Sequence, residues 1–459
     1  MSFTEFRFLA FFVIAFGVYW LLPRNNARKA WLLASSYLFY AGWRWEFLGL
    51  IVASTLIDFV VGRMLARKVS PGGRRLWLII SLVANLGLLS TFKYFDFFVS
   101  SGVSFLSTLG IEVSAASLGM IVPVGISFYT FQTLSYTIDV YRGKLQPIRS
   151  LLDFAVFVAF FPQLVAGPIV RASSFLPQLV SKRRFGDIAW RASLSLFLFG
   201  YIKKVCIADN FATVVDQVFA APENYGALGK WLGVSLYSIQ IYCDFSGYTD
   251  MAIAMAAFFG YTLTVNFNFP YLARSLTEFW RRWHISLSTW FRDYLYIPLG
   301  GNQNGAFKTY RNLLIVFFLC GLWHGPSWNF VIWGLIHGVF LIFERLLKVK
   351  TGSIFGHFST LFIVLLAWVF FRSPDLTTSI NFIGGMFGVG ESGAEQIDSI
   401  WWGLLAGFVV VHILMSKKWL EGALDRLPSY VYAASYGMAW ALVLPWAAAE
   451  YKPFIYFQF

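Results

Sequence analysis

Charged side chains are scarce in this sequence, at 13% of its 459 residues. Soluble globular chains carry about 25%. That shortage excludes an ordinary solvated domain. With 58% hydrophobic and 20% aromatic residues and a mean hydropathy of +0.64, the composition predicts an all-α polytopic membrane protein. Cysteine is nearly absent as well. Cys206, Cys243 and Cys320 lie in apolar or helical contexts without CxxC spacing, which excludes a disulfide framework and gives no zinc site or other metal set. Acidic residues are the scarcer charge, 23 against 36 Lys and Arg, for a net charge of +13. In a membrane chain this reads as positive-inside anchoring, with affinity for anionic lipid or a phosphorylated ligand rather than for nucleic acid. There is no internal repeat, low-complexity tract or separate soluble domain, so 1–459 reads as a single integral membrane domain with its chemistry concentrated in 120–345.

What is present is a succession of apolar runs. Phe8–Leu22 lacks a basic leader and a small-residue cleavage site, and is expected to be a retained first membrane segment. Basic residues Arg24, Arg28 and Lys29, and later Arg63 to Arg75, bracket two apolar pieces as two loops on the cytoplasmic side. Residues 100–119 read as a loop or re-entrant segment. Ile121–Tyr141 is studded with Ser, Thr and Gln132, so it should face other helices or a channel. Pro162 and Pro168 break the run Phe154–Val170, as expected of backbone lining a cavity. Trp231–Gly260 is long enough for two passes or one tilted helix. Inside it Asp244 and Asp250 lie about 240° apart around a helix, off a common face, which favours ion pairing with Arg281 or Arg282 over a paired-carboxylate site. The aromatic stretch Pro453–Phe459 reads as interfacial. At roughly 20 residues per crossing, the runs amount to about 10–12 spans with re-entrant or interfacial pieces.

Two histidines stand out. His324 ends the apolar run Leu313–Trp323 at a Gly325-Pro326 break, and a second apolar helix follows from about Trp328. An ionisable group at membrane depth beside broken helix is a functional-site candidate, a base lining a cavity; read alone, it also fits a structural histidine at a kink. Cys320, one helical turn earlier, adds a Cys–His nucleophile pair as an alternative, against the commoner role of buried cysteine as a small hydrophobe. Upstream, Ser275-Leu276-Thr277-Glu278 has the form of a capping box. From it Leu276, Phe279, Trp280, Trp283, Leu287, Trp290, Phe291 and Tyr294 recur at helical spacing, flanked by Arg274, Arg281, Arg282 and Arg292. That pattern predicts one in-plane interfacial helix, with His284 on the rim of the stripe, about 40° from Trp280.

In combination, Ile126–Tyr136 (ISFYTFQTLSY), Asp244–Asp250 (DFSGYTD), Phe279–His284 (FWRRWH) and Trp323-His324-Gly325 resemble the membrane-bound O-acyltransferase superfamily, and within it the bacterial branch that acetylates alginate. The resemblance implies the fold of that family, helices around a central tunnel. It implies His324 as the catalytic histidine and His284 as the second polar active-site position. Many relatives carry His in a Phe-Pro-His element where this chain has Gln163, so no catalytic role is expected there. The implied reaction is acetyl transfer from acetyl-CoA, with no permanently bound cofactor, toward an exopolysaccharide such as alginate. Periplasmic acetyltransferase partners and a bacterial inner membrane are implied with it. Imidazole suits the chemistry, since it titrates near neutral pH and can take a hydroxyl proton. Arg281, Arg282 and Lys182–Arg184 are candidates for the phosphates of coenzyme A, and Trp323, Asn329, Asp244 and Gln132 for orienting donor or substrate. Peptidoglycan O-acetylation, teichoic-acid D-alanylation, and a non-enzymatic transporter or scaffold are the alternatives.

Overall fold

The computed structural model describes residues 2–455 apart from 68–69, 115, 165–166, 349–351, 391–392, 418–422, 425 and 447–452. Within the runs named above, residues 165–166 and 456–459 lie outside the described residues. The chain is helical, and it divides into two compact units, Met1–Ala189 with Met255–Thr264, and Trp190–Ala254 with Val265–Phe459.

The first unit holds α1 (Phe6–Leu21), α2 (Asn25–Arg44), α3 (Leu48–Leu65), α4 (Pro71–Leu89), α5 (Phe95–Thr108), α6 (Ile126–Tyr141), α7 (Leu151–Ala159), α8 (Phe161–Leu164) and α9 (Ala172–Val180). Two continuous stretches, Asn25–Leu65 and Pro71–Thr108, are long and apolar enough to cross a membrane. Helix α5 extends through residues expected to form a loop. Helix α6 is almost wholly buried, in keeping with its many hydroxyls. Its Thr137 donates to the Asp58 carboxylate of α3 at 2.7 Å. Ser81 and Asn85 of α4 donate to the same carboxylate at 2.5 and 2.7 Å. Three helices are thus tied together by one fully buried aspartate. The break expected near Pro162 is real, since α7 stops at Ala159 and one short turn follows. The basic residues after α1 are not merely loop charges. Arg28 donates to the carbonyls of Leu22 and Arg183, and Lys29 forms a buried ion pair with Asp153 at 2.5 Å. The polar backbone ends left by broken helices recruit these cations inward.

The second unit holds α10 (Trp190–Tyr201), α11 (Asp209–Ala220), most of α12 (Ala227–Phe258), α13 (Leu276–Arg282), α14 (Ile285–Phe291), α15 (Ala306–His324), α16 (Trp328–Leu346), α17 (Ile354–Arg372), α18 (Leu376–Met386), α19 (Ile400–Met415) and α20 (Ser429–Val443). Helices α16 and α17 are long and apolar enough to span, and α19 is a shorter apolar helix. Helix α12 is one uninterrupted helix of 32 residues, about 48 Å long. Its aspartates do not pair with Arg281 or Arg282. Asp244 pairs with Lys204 at 2.6 Å and Asp250 with Lys203, both from the π-helical segment Ile202–Ala208 that follows α10. Gly247 and Gly200 let these segments touch: a Cβ on Gly247 would stand 2.6 Å from the Gly200 carbonyl oxygen. The aromatic stretch after α20 is not interfacial where it is described. Phe454 is fully buried between Phe245 and Tyr248, and the Ile455 N–H donates to Asp244 at 2.7 Å.

Candidate active site

The site begins with a tight helical hairpin. Helices α15 and α16 approach so closely that a Cβ on Gly321 would lie 2.2 Å from the Phe330 carbonyl oxygen, and one on Gly334 2.1 Å from that of Phe317. Only glycine fits at such a crossing. His324 is the last residue of α15, and the turn after it ends at Ser327, whose hydroxyl accepts from the Asn329 N–H to start α16. The imidazole is 2% exposed. Its walls are Trp333 at 4.9 Å, Trp323 at 5.0 Å and Phe371 at 5.3 Å between ring centroids, all edge-on.

The stripe from Leu276 to Tyr294 is buried throughout, as its spacing predicts. It does not form one in-plane helix. Residues Trp283 and His284 interrupt it, with His284 at φ +42°, and α13 and α14 are separate seven-residue helices. Asn266 replaces the missing helical bonds. Its carbonyl accepts the Ile285 N–H at 2.9 Å, and its Oδ1 accepts the Ser286 N–H at 3.1 Å and the Ser286 hydroxyl at 2.9 Å. Helix α13 runs along α16. The Glu344 carboxylate near the end of α16 accepts N–H bonds from Leu276 and Thr277. Farther along, Trp280 meets His337 and Trp333 at 5.1 and 5.8 Å. Past its end, His284 meets Trp323 at 5.8 Å. Glu344 to Trp333 spans eleven residues, about 16 Å of helix axis, so α13 leads inward from the end of α16 toward the α15–α16 turn.

His284 is therefore enclosed at the break, with no exposed surface, rather than on a rim. Its Nδ1 lies 3.1 Å from Asn266 Oδ1. The Ser286 N–H can only donate, which identifies that Asn266 atom as the oxygen, so Nδ1 carries the proton and the lone pair resides on Nε2. Trp323 thus touches both imidazoles, His284 from the α13–α14 break and His324 from the α15–α16 turn.

Arg281 and Arg282 line a mouth of about 650 Å³ together with Arg274, Asn268, Thr277 and Lys417. Arg282 pairs with Glu278 at 2.7 Å and donates to the Asn268 carbonyl. Partial burial alone would raise the Glu278 carboxyl, but the Arg274 N–H and the Arg282 guanidinium outweigh it and hold it below its ordinary value. No carboxylate pairs with the exposed Arg281 among the described residues.

The remaining candidates are elsewhere. Asn329 is buried, but its Nδ2 donates to the Ser373 carbonyl and the Ser379 hydroxyl, which fastens α16 to the start of α18. Asp244 belongs to a polar cavity of about 350 Å³ with Lys204, Asp209, Gln240 and Arg372. Gln132 is in the first unit, buried in α6 with its side-chain amide unbonded among the described residues. So is Lys182–Arg184, where the Arg183 guanidinium is committed to the Gln178 carbonyl. Two residues that matter went unnoticed in the sequence. Asn266 orients His284 from 18 positions away, a contact no local spacing announces. His337 is a third enclosed imidazole, against Trp280 and Trp333 at 5.1 and 5.0 Å; its place four residues after Trp333 on the buried face of α16 was the available signal. Among the described residues no three His, Cys, Asp or Glu side chains gather as a metal set.

Comparison with known proteins identifies the family. Residues 145–372 match the family model for membrane-bound O-acyltransferases. The chain is 38% identical to a probable alginate O-acetylase of Azotobacter vinelandii over 100% of both chains. It is also 38% identical to the peptidoglycan O-acetyltransferase of Helicobacter pylori, over 84% of this chain and 78% of that one. Similarity to the teichoic acid D-alanyltransferase of Bacillus subtilis is lower, 29% over 48% of this chain and 58% of that one. With α13 to α17 inside or overlapping the matched region and a relative aligned from end to end, this chain is an O-acyltransferase and belongs to the membrane-bound O-acyltransferase family.

Proposed function

We propose that this enzyme moves an acetyl group from cytoplasmic acetyl-CoA onto a hydroxyl, with His324 as general base, in the O-acetylation of an exopolysaccharide of the alginate kind at the bacterial inner membrane. The observation that carries the reading is the pair of enclosed imidazoles, His284 and His324, that both contact Trp323. In the reaction the His324 imidazole takes the proton of the acceptor hydroxyl as its oxygen attacks the thioester carbonyl. The C–O bond forms, the C–S bond breaks, and the departing thiolate takes the proton back from the imidazolium. An aromatic enclosure excludes water, which strengthens fixed dipoles acting on the developing oxyanion and protects the thioester from hydrolysis. His284, held in one tautomer by Asn266, orients the reacting groups. Arg281 and Arg282 at the mouth bind the donor phosphates.

Acetyl transfer is favoured over D-alanyl transfer because the full-length similarity is to an alginate O-acetylase. A peptidoglycan acceptor is the second reading, supported by the equal identity to the Helicobacter pylori enzyme. Either route leaves the final attachment to sugar to a periplasmic acetyltransferase partner. The test is thiol release from acetyl-CoA by purified protein, with partner and polyuronate or peptidoglycan fragments, in wild type and His324→Ala. The variant should keep its melting temperature and lose about 10²-fold or more of both thiol release and acetylation. Wild-type rates in His324→Ala would refute the assignment, and faster release with peptidoglycan than with polyuronate would select the second reading.

A further inference from the structure

Helix α19 is apolar along its length except at His412, which is 6% exposed. The imidazole packs against Tyr242, Phe269 and Phe408, and its Nε2 is buried with no hydrogen-bond partner among the described residues. His412 lines a slot of about 220 Å³ whose walls are Ile239 of α12, Leu361 and Leu365 of α17, and Leu405 and Val409 of α19. The polar atoms nearest in kind are already used. The Tyr271 hydroxyl donates to the Ser238 carbonyl at 2.5 Å, and His357 Nδ1 lies 2.9 Å from the Ala273 carbonyl oxygen.

The slot adjoins the cationic mouth. Leu272 lines both, and Ser416 and Lys417 of the mouth continue α19 directly past His412. Among the described residues four basic side chains, Arg274, Arg281, Arg282 and Lys417, stand there against the carboxylate of Glu278. From Leu405 to Ser416 is about 16 Å of helix axis, the depth of one leaflet of a hydrocarbon core about 30 Å thick. Cations at one end and an apolar wall one leaflet deep match one chemistry. A soluble anion has no use for the slot, and a neutral lipid has none for the rim.

We propose that the slot and the adjoining rim hold one anionic phospholipid, an acyl chain between α17 and α19 and its phosphate on Arg274 and Lys417. The site is distinct from the acyl-transfer chemistry in that its lining includes none of the rings described around His284 and His324. It places a lipid of the basic-loop leaflet beside the mouth, where it shapes the rim without reacting.

The test uses full-length protein, delipidated in neutral detergent, with melting temperature read on adding phosphatidylglycerol, phosphatidylcholine or sn-glycerol 3-phosphate. Phosphatidylglycerol should raise the melting temperature by several degrees, and the other two should not. Leu405→Trp, which fills the slot, should melt as wild type without lipid and lose the shift, while its thiol release from acetyl-CoA stays unchanged. The exposed Lys417→Gln should reduce the shift by half or more, and it decides the matter should Leu405→Trp fold poorly. An equal shift from phosphatidylcholine means a generic lipid surface, and one from glycerol phosphate a free-anion site. Either outcome overturns the proposal, as does a phosphatidylglycerol shift that survives both substitutions. Absence of thiol release in wild type with the lipid shift intact would refute the donor reading alone.

Discussion

Two buried polar clusters, one in each unit, are built in different ways. In the first, Asp58 accepts hydrogen bonds from Ser81, Asn85 and Thr137, and Asn85 Oδ1 in turn accepts from Ser54. Donors and acceptors match closely across α3, α4 and α6, as in a network whose task is to hold helices in place. In the second, His284, His324 and His337 are enclosed by the rings of Trp280, Trp323, Trp333 and Phe371. Ring walls keep water out but leave the chemistry of an imidazole nitrogen to whatever enters. The first cluster is walled by hydrogen-bonding side chains, the second by aromatic rings.

The comparison is open to attack from both sides. Removing Asp58 should give the largest change in stability. Asp58→Ala strands the donors of Ser81, Asn85 and Thr137, at about 1–3 kcal/mol for each buried group left unbonded. Its melting temperature should fall steeply, Asp58→Asn should fall less, and whatever folds should turn over at the wild-type rate. A well-folded but inactive Asp58→Ala would abolish the distinction drawn here. The next effect is on rate. Asn266→Ala removes the acceptor that fixes the His284 tautomer, and kcat should drop roughly tenfold, equivalent to about 1.4 kcal/mol, with a changed pH–rate profile. A purely structural role would lower the melting temperature and leave that profile unchanged.

Arg281→Gln comes third. The donor concentration for half-maximal rate should rise several-fold at low salt and converge with wild type near 1 M salt, where the screening length is about 3 Å. Unchanged donor dependence with lower thermal stability would show that Arg281 holds structure. The smallest effect belongs to Glu278, whose carboxylate binds the Arg274 N–H and pairs with Arg282. Glu278→Gln should cost about 0.5 kcal/mol, since the pair is partly exposed. The folded-state carboxyl is held below its ordinary value of 4.5. Its contribution is therefore complete above the unfolded value and vanishes as pH falls through the folded one. Melting curves of wild type and Glu278→Gln should differ at pH 7 and converge as pH falls through the folded-state value, which lies below 4.5.

Composition alone announced the membrane class, and the hydroxyl-rich face of α6 announced its burial. The α15–α16 turn was legible because Gly325 and Pro326 cannot continue a helix after His324. The α13–α14 break was not, because a regular aromatic stripe reads as one helix and the interruption is imposed by Asn266 from outside the segment. The partners of Asp244 and Asp250 were hidden for a related reason. Arg281 and Arg282 are nearer in sequence space to a plausible ion pair, but Gly200 and Gly247 bring a π-helical segment against α12 and deliver Lys203 and Lys204 instead. Spacing reports what one helix does with its own faces. It does not report which distant segment comes to rest on them.

The left-handed backbone at His284 bears on how this position would behave under selection. A residue with a Cβ pays about 1–2 kcal/mol to sit there, and glycine or asparagine far less. A library scored only for folded protein should therefore drift toward Gly or Asn at 284, while one scored for acetylation should return to His. The same asymmetry makes alanine a poor probe here, because His284→Ala keeps the conformational penalty while deleting the ring. His284→Asn separates the two, and the gap between what folding prefers and what turnover requires at this one position is itself a measure of how far the site has been bent toward chemistry.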